Sequence, residues 1–347
     1  IAMNGSAPYK TVLTHGFVVD EQGRKQSKSL GNVVSPQKVW DNLGADILRL
    51  WVASTDFRSE MVASDEILRR TSDQYRRIRN TFRFILGNLK DYKDQNKIKF
   101  KDQIELDKWI INEAKILQND VLKLYESYSY HKAIQKIHNF CVNELGGIYL
   151  DIVKDRLYTC KSDSNARRSC QTSLDFILNV LVRLIAPVLS YTAEEIWQMS
   201  ERLCNQEESV FLSNYDILEV DYDSSIKESD WNRIFEIKDA VNQSIEEMRN
   251  ENKLKGSLDS IVNISANAED LKILEKLGNE LHFLFISSEA SIENGKSFKI
   301  KINSSTNLKC TRCWHRHAST GTSKEHPELC NRCIENIDDD GEQRSFV

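Results

Sequence analysis

The sequence has no apolar run long enough to cross a membrane, and its amino-terminal residues lack the basic-then-apolar order of a secretory signal. These absences exclude a membrane-spanning helix and an export signal, so the sequence predicts a cytoplasmic protein with no membrane partner. Hydrophobic residues make up 40% of the chain and charged residues 29%, a balance typical of globular proteins. With 347 residues, the chain is long enough for two or three domains.

The sequence also lacks an excess of positive charge. It contains 47 Lys and Arg residues against 52 Asp and Glu residues, for a net charge of −5. This balance argues against a protein that binds nucleic acid over its whole surface, but it leaves room for a local basic face. No self-similarity with a period of 20 to 50 residues is present, which excludes the common repeat architectures.

Strand patterns are nearly absent from the middle of the chain, between residues 64 and 203. Apolar side chains recur there at spacings of three and four, as from Leu68 to Leu89 and from Leu174 to Val188. Pro187 is expected to bend or end the second of these helices. Two more helical runs cover 106–125 and 130–149, so the middle of the chain predicts a helix bundle.

The segments on either side of this bundle have mixed patterns. Before it, we predict a strand over 9–20, a turn over 20–23 and helices over 35–40 and 44–53. After residue 205 we predict a small α+β unit. Its helices are expected at 231–252 and 269–277, and its strands at 260–265, 281–287 and 298–302.

The eight cysteines divide into two groups. One group forms two C-x-x-C pairs with sixteen residues between them: Cys310, Cys313, Cys330 and Cys333. Four thiolates at this spacing can close a tetrahedron around one zinc ion, leaving no open coordination position. The zinc would therefore be structural, and its binding would stabilise a segment with too few apolar residues to fold alone. Two redox-active dithiols are the alternative, as is a mixed site that includes His315, His317 or His326. The other cysteines are expected to be core thiols: Cys141, Cys160, Cys170 and Cys204.

A second motif lies in residues 23–32, which contain two lysines, two serines and two glycines. The ammonium groups of Lys25 and Lys28 on such a loop suit a polyphosphate whose negative charge shifts during a reaction. A solvated turn is the alternative, because short Lys/Ser runs are common.

A third feature is a row of arginines beside the apolar stripe of the first bundle helix: Arg69, Arg70, Arg76, Arg77, Arg79 and Arg83. Residues seven apart share a helix face, so these side chains form a cationic ridge. Such a ridge suits RNA phosphates, and a solvated charged face is the alternative. The same two interpretations apply to Arg156, Arg167 and Arg168, and to the basic residues around the cysteine pairs, which are Lys309, Arg312, Arg316, Lys324 and Arg332.

The segment Lys25–Ser29 reads Lys-Gln-Ser-Lys-Ser and resembles the Lys-Met-Ser-Lys-Ser motif of class I aminoacyl-tRNA synthetases. Further segments, spread from one end of the chain to the other, resemble the bacterial isoleucyl-tRNA synthetases within that class: 13–17, 44–54, 64–68, 75–81, 166–172 and 309–315. Because the chain begins with Ile1 and not with Met, we expect it to be the carboxyl-terminal portion of such an enzyme.

The resemblance implies a mainly α fold in four parts. Residues 1–60 would end a Rossmann catalytic domain, 61–204 would be a helical anticodon-binding domain, 205–305 an α+β unit and 306–347 a zinc ribbon. The implied activity is ATP-dependent ligation of isoleucine to its tRNA through isoleucyl-adenylate, by a monomer that carries one structural Zn²⁺ and uses ATP with Mg²⁺.

The resemblance also implies roles for individual residues. Lys28 would hold the ATP phosphates, helped by Lys25 and by the hydroxyls of Ser27 and Ser29. The four paired cysteines would bind the zinc. Contacts with tRNA are expected from Arg69, Arg76, Arg77, Arg83, Arg167 and Arg168.

Two departures qualify this interpretation. Gln26 stands where the family usually has Met, and an amide beneath the loop would weaken its closure. The chain also lacks the His-rich Rossmann motif, the isoleucine pocket and the editing domain, so we expect no aminoacylation by this polypeptide alone.

The competing hypotheses are a stand-alone tRNA-binding module and a DNA-repair glycosylase with a similar zinc ribbon. Valyl- and leucyl-tRNA synthetases share the loop and bundle, but the four-cysteine ribbon favours the isoleucine enzyme.

Overall fold

The computed structural model describes residues 5–200, 207–215 and 222–347, and Cys204 lies outside these ranges. The chain divides into two compact units. The first comprises 1–83, 117–142 and 180–215, and the second comprises 84–116, 143–179 and 216–347. In the described ranges, none of the helices combines the length and apolar character needed to cross a lipid bilayer. The four predicted domain boundaries stay a prediction.

Helices dominate the described chain, which confirms the mainly α expectation. The helices are α1 Pro36–Leu43, α2 Ala45–Ser54, α3 Asp65–Asn88, α4 Glu105–Glu126, α5 Tyr130–Phe140, α6 Leu150–Thr159, α7 Asn165–Ile185, α8 Ser190–Met199, α9 Glu228–Asn250, α10 Ala268–Leu274, α11 Leu281–Leu284 and α12 Asn331–Asp338. A wider π-helical stretch, Cys141–Tyr149, joins α5 to α6. The strands are β1 Val18–Val19, β2 Met61–Val62, β3 Ser260–Ala266, β4 Glu289–Asn294 and β5 Lys299–Ser304.

The strand predicted over 9–20 is confirmed only at Val18 and Val19, which pair in parallel with β2. A strand needs a partner for its backbone groups, and β2 supplies only two residues. The chain approaches this pair closely at Gly16, where a Cβ atom would lie 2.1 Å from the carbonyl oxygen of Ser59. Only glycine fits at that position.

Helix α2 is tied to the junction between α7 and α8. The Asp46 carboxylate accepts hydrogen bonds from the backbone N–H groups of Tyr191 and Thr192, at 3.2 and 2.7 Å, and so caps the start of α8. Arg49 donates to the carbonyl oxygens of Val188 and Pro187, at 2.9 and 2.7 Å. Helix α7 ends at Ile185, which confirms the expected effect of Pro187.

The second unit contains a three-stranded sheet in the order β4-β3-β5. Strand β3 pairs in parallel with β4 and antiparallel with β5. Helix α9 packs Trp231 and Phe235 against Trp109 of α4, with ring centroids 6.3 and 4.6 Å from that of Trp109. Such aromatic contacts bury large apolar surfaces and hold the sheet-bearing part against α4.

The strand predicted over 281–287 is wrong, because this segment forms α11 and a turn in which Ile286 has φ +53°. A short apolar run does not distinguish a buried strand from a buried helix, and Leu281, Phe283 and Leu284 are all buried here. Strand β4 was not predicted. Its side chains are largely exposed and carry little apolar alternation.

Arg156 lies in the interior and not on an RNA-facing surface, which corrects one reading of the sequence. Its side chain is 1% exposed and binds the Asp107 carboxylate through two hydrogen bonds of 2.8 and 2.6 Å. Tyr149 and Ser169 donate to the same carboxylate at 2.6 and 2.5 Å. These bonds satisfy a buried charge that would otherwise destabilise the fold by several kcal/mol, on the order of 3–5.

Candidate functional site

The lysine-serine loop leaves β1 through a tight turn. The Gly23 N–H donates to the Asp20 carbonyl at 3.0 Å, and Gly23 has φ +74°. The turn predicted over 20–23 is thereby confirmed. A single antiparallel bridge between Val19 and Lys25 returns the chain alongside β1. The loop is therefore held at its base while its tip extends away.

Asn32 and Asp20 fix the base of the loop. The Asn32 side chain accepts from the Ser27 N–H at 2.9 Å and donates to the Asp20 carboxylate at 2.9 Å. Hydrogen bonds from Asn32 and Arg24 hold the pKa of Asp20 well below its usual range, so this carboxylate stays ionised. No sequence pattern singles out Asn32 as a functional residue, because its partner Asp20 lies twelve residues away.

Ser27 to Gly31 form a short helical turn at the tip. The Ser27 hydroxyl accepts from the Leu30 N–H at 3.3 Å, and Gly31 ends the turn in the left-handed region with φ +67°. Lys28 is the first residue of this turn, and both Lys28 and Ser29 are exposed. Lys25 is also exposed, and its Nζ lies 3.7 Å from the centre of the Phe17 ring. Both ammonium groups therefore face solvent, where a polyphosphate could reach them.

Gln26 lies on the inner side of the loop. Its Oε1 atom accepts from the Val34 N–H at 3.3 Å, while its buried Nε2 atom has no hydrogen-bond partner among the described residues. A buried, unpaired amide donor costs about 1–3 kcal/mol. The position thus lies beneath the loop, where an apolar side chain would carry no such cost.

The four paired cysteines form a single buried cluster. Their Sγ atoms all lie within 4.8 Å of one another, and those of Cys313 and Cys330 are 3.7 Å apart. Four thiolates around one zinc ion, with Zn–S bonds of about 2.3 Å, place neighbouring sulfur atoms about 3.8 Å apart. The donor set and its spacing therefore fit tetrahedral zinc.

Backbone hydrogen bonds and tight turns shape the two cysteine pairs. The Cys330 N–H points at the Cys310 Sγ at 3.4 Å, and hydrogen bonding to Cys313 and Cys333 lowers the pKa of the Cys330 thiol. Trp314 follows the first pair with φ +66°, and its N–H donates to the Cys310 carbonyl at 3.0 Å. This turn brings the first two sulfur atoms towards the second pair.

The three histidines between the pairs do not join this cluster among the described residues. His317 is exposed, and His326 pairs with Asp338 at 3.0 Å. His315 is only 7% exposed, and its Nδ1 lies 3.2 Å from the Cys313 carbonyl oxygen. The mixed Cys/His site receives no support from this geometry.

The arginines near the cysteines are largely engaged within the protein. Arg312 donates to the Thr159 carbonyl oxygen, and Arg316 pairs with Asp259 at 2.5 Å. Arg332 contacts both Asp155 and Glu342. A phosphate would have to compete with these contacts.

The arginine ridge of α3 has a different character. All six arginines are exposed. Arg70 pairs with Glu66, Arg76 with Asp73 at 3.3 Å, and Arg79 with Glu195 at 3.5 Å. In the described part of the chain, Arg69, Arg77 and Arg83 make no ion pair, so their guanidinium groups are free to bind phosphates.

Arg167 and Arg168 lie on α7, and both bind Asp91. Arg167 makes two bonds to its carboxylate, at 2.7 and 3.1 Å, and Arg168 adds one at 3.3 Å. Their side chains are only 17% and 12% exposed. The predicted tRNA contact of this pair stays a prediction, and the geometry favours a structural role.

Three family models match the chain. Residues 1–64 match the class I tRNA synthetases (I, L, M and V), and 107–264 match the anticodon-binding domain of tRNA ligase. Residues 307–336 match the zinc finger found in FPG and IleRS, which identifies the metal of the cysteine cluster as zinc. Along the chain, the class I synthetase match comes first and the zinc-finger match comes last.

Curated relatives match the chain over its whole length. It is 47% identical over 362 residues to an isoleucine–tRNA ligase of Pseudoalteromonas atlantica, covering 100% of this chain and 38% of that protein. The ligase of Ruthia magnifica is also 47% identical, over 360 residues with the same coverage. Over its whole length, the chain is similar to isoleucine–tRNA ligases. It spans little more than a third of the length of these ligases.

These matches and the cysteine cluster confirm the predicted resemblance, the mainly α fold class and the structural zinc. Among solved structures, the chain is similar to a LeuRS–tRNA–LeuAMS complex of Agrobacterium radiobacter K84, with 26% identity over 54% of this chain and 22% of that one. The TM-score of 0.42 is too low to bear on the fold or the site. The roles of individual residues stay predictions.

Proposed function

We propose that this chain serves the ATP-dependent ligation of isoleucine to its tRNA, as part of a complete isoleucine–tRNA ligase. The observation that carries the proposal is 47% identity over the entire chain to proteins of that name. The matched length takes in both the lysine-serine loop near one end and the four cysteines near the other. The chain supplies the phosphate loop, the anticodon-binding helices and the zinc ribbon.

In the activation step, Lys28 binds the ATP phosphates at the exposed tip of the loop. Isoleucine attacks the α-phosphate, and pyrophosphate leaves with growing negative charge that a nearby ammonium group stabilises more than it stabilises bound ATP. Lys25 and the hydroxyls of Ser27 and Ser29 support this contact, and Mg²⁺ accompanies ATP. The support for this step is the exposure of both lysines on a loop anchored by Asn32.

For tRNA binding, we propose that the α3 ridge contacts the phosphate backbone through Arg69, Arg77 and Arg83. They are exposed and free of ion pairs in the described structure, whereas Arg76 shares its charge with Asp73. The match of 107–264 to an anticodon-binding domain supports tRNA as the partner. Cys310, Cys313, Cys330 and Cys333 would hold zinc, which supplies the free energy that folds the ribbon.

The segment 9–43 exposes many large apolar side chains, which supports its packing against the rest of a catalytic domain. The exposed set includes Tyr9, Val12, Leu13, Phe17, Leu30, Val33, Trp40 and Leu43. Such a concentration is unusual for a free surface, and this segment lies in the class I synthetase match. A protein that contributed only tRNA binding would have no need of it.

A filter-binding titration of the purified chain tests the tRNA-binding part of the proposal. We expect the tRNA for isoleucine to bind more tightly than the tRNA for valine, and a zinc chelator to weaken binding. Equal, weak binding of both tRNAs would contradict specific anticodon recognition. Binding unaffected by the chelator would remove the ribbon from the interface.

The second candidate function is a stand-alone tRNA-binding module without catalysis. It is favoured by one observation, the unpaired amide of Gln26 beneath the loop, because an unsatisfied donor there weakens loop closure. The two candidates differ in the effect of Lys28: its replacement in the complete polypeptide reduces adenylate formation only if the loop is catalytic.

A further inference from the structure

The zinc ribbon is joined to helix α6 by a polar network centred on Asp155. The Asp155 carboxylate binds Arg332, which lies between the last two cysteines, and also binds Arg344 at 2.7 Å. Glu342 completes the network, accepting from Arg332 at 2.8 Å and from Arg344 at 3.2 Å. Two carboxylates and two guanidinium groups thus alternate in one cluster.

This network is sheltered from solvent. The side chains of Asp155, Arg332, Glu342 and Arg344 are 16%, 17%, 11% and 2% exposed. The guanidinium group of Arg344 also lies against the Phe283 ring, 3.1 Å from its centre. Charges at such depth interact more strongly than a surface pair, and their directional bonds specify one geometry.

Further hydrogen bonds act at the same contact. Arg312 donates to the Thr159 carbonyl oxygen at the end of α6, and Arg332 donates to the Thr159 hydroxyl at 2.7 Å. The Lys161 N–H donates to the Asn336 side chain at 3.0 Å. Both cysteine pairs are therefore connected to α6 and the residues directly after it.

Apolar packing around the cysteine cluster itself is slight. Among the described residues, the four-cysteine cluster packs against a single partly buried hydrophobic side chain, that of Leu329. Apolar packing is non-directional, whereas a guanidinium–carboxylate network has a defined geometry. The contacts that join the ribbon to α6 are accordingly polar, and the Phe283 ring packs beside them against Arg332 and His315.

We propose that Asp155 is a positioning residue for tRNA recognition: it holds the zinc ribbon in one orientation on α6, so that the ribbon contacts the tRNA in register with the helices. This proposal rests on the proposed function, because it assigns the ribbon to the tRNA interface. Asp155 itself would not touch the tRNA. Its effect on binding passes chiefly through Arg332 and Arg344.

The test compares Asp155→Asn with Asp151→Asn in the zinc-loaded, full 347-residue chain. Asp151 lies one turn earlier on α6 and pairs with Lys154 in a solvent-exposed contact, so its change is a matched control. We expect Asp155→Asn to weaken binding of the tRNA for isoleucine about tenfold and to accelerate amide hydrogen exchange across 307–336. Zinc content should stay at one ion per chain in both variants.

A general loss of folding is separated from positioning by a chelator. Once zinc is removed, the ribbon no longer contributes, so the chelated Asp155→Asn variant and the chelated wild type should bind tRNA equally. A second variant, Glu342→Gln, disturbs the same network from the other side and should reproduce the exchange and binding changes.

Three results would overturn the proposal: unchanged tRNA affinity in Asp155→Asn, unchanged hydrogen exchange in the ribbon, or an equal loss of affinity with and without zinc. Failure of the proposed function has a different signature. In that case the wild-type chain itself would show no zinc-dependent binding of the isoleucine tRNA.

Discussion

At the residue scale, the site depends on a few side chains whose neighbours determine what they can do. Lys28 is free because Ser27 and Gly31 hold the loop tip open, and Asn32 ties the base to Asp20. The sulfur atoms of the paired cysteines converge because each pair turns sharply, as at Trp314. Both features are local, and both can be tested by single substitutions.

Lys28→Ala in the complete ligase should lower the rate of isoleucyl-adenylate formation roughly 100-fold, because a preorganised charge on the departing pyrophosphate is lost. Pyrophosphate exchange measures this rate. Lys38→Ala, in α1, is the control and should leave it unchanged. If adenylate forms at the wild-type rate in Lys28→Ala, the loop has no catalytic role.

Cys333→Ser should abolish stable zinc binding and unfold the ribbon, because the ribbon depends on metal binding worth on the order of 10 kcal/mol. Metal analysis and hydrogen exchange over 307–336 check this outcome. Cys141→Ala is the control: it removes a buried thiol that is distant in sequence from the ribbon, so this variant should keep one zinc ion per chain. A Cys333→Ser protein with full zinc occupancy would show that the tetrathiolate assignment is wrong.

At the element scale, individual helices carry distinct functions on one face and structural contacts on the other. Helix α3 buries Ile78, Phe82 and Ile85 and exposes its arginines. Helix α6 places Asp155 towards the ribbon and Arg156 into the core. Adjacent helix positions point about 100° apart, so one helix can serve both purposes.

Replacing both Arg77 and Arg83 by Ala should weaken tRNA binding and reduce the slope of log affinity against log salt by about 2, since each arginine accounts for about one phosphate contact. Filter binding at several salt concentrations measures the slope. Arg70→Ala should change it less, because Glu66 already neutralises Arg70. An unchanged slope in the double variant would mean that the ridge is only a solvated face.

Glu113 of α4 predicts a pH dependence of stability. Burial, then the nearby Glu228 and Glu144, raise its pKa from the ordinary value of 4.5 to about 7. The folded state therefore retains a proton that the unfolded state loses, so the stability from this group is complete below pH 4.5 and declines as the pH rises to about 7. Because Glu113 is partly exposed, the loss should be on the order of 1 kcal/mol.

Glu113→Gln should remove this decline, so the variant gains stability relative to the wild type at pH 8 but not at pH 4.5. Urea unfolding at the two pH values gives both free energies. Glu126→Gln, an exposed position on the same helix, should show no such difference. A wild-type-like pH dependence in Glu113→Gln would refute the assignment.

At the scale of the whole molecule, the chain covers 38% of its curated relatives, and its first 64 residues match only part of what a class I catalytic domain needs. Ligation requires a site that binds adenine, isoleucine and the acceptor end together. The exposed apolar side chains of 9–43 indicate where such a site would adjoin this chain.

The 347-residue chain alone should therefore form no isoleucyl-adenylate in a pyrophosphate-exchange assay while still binding the isoleucine tRNA. Adding a polypeptide with the remaining sequence of the Pseudoalteromonas atlantica ligase should restore exchange. The Trp40→Glu variant of this chain disrupts the apolar contact. Mixed with the same complementing polypeptide, it should therefore restore much less pyrophosphate exchange. Adenylate formation by the isolated chain would contradict this prediction.

The sequence by itself determined the features that depend on spacing along the chain. The four zinc ligands, the lysine-serine loop, the α3 stripe and the helix stop before Pro187 are all encoded within about 25 residues, where metal geometry and helical periodicity leave few alternatives. The resemblance to isoleucyl-tRNA synthetases rested on the same short segments, and the comparisons confirm it.

Only the tertiary structure decided which charges are buried, paired or free. Arg156 and Arg77 look alike in the sequence, yet one lies against Asp107 in the interior and the other is exposed. Asp155 meets Arg332 across 177 residues of chain. Residues 281–284 form a helix that leads into a turn, because contacts with buried neighbours, and not the local apolar pattern, decide between helix and strand. Such partners are set by packing between distant segments, which spacing along the chain does not specify.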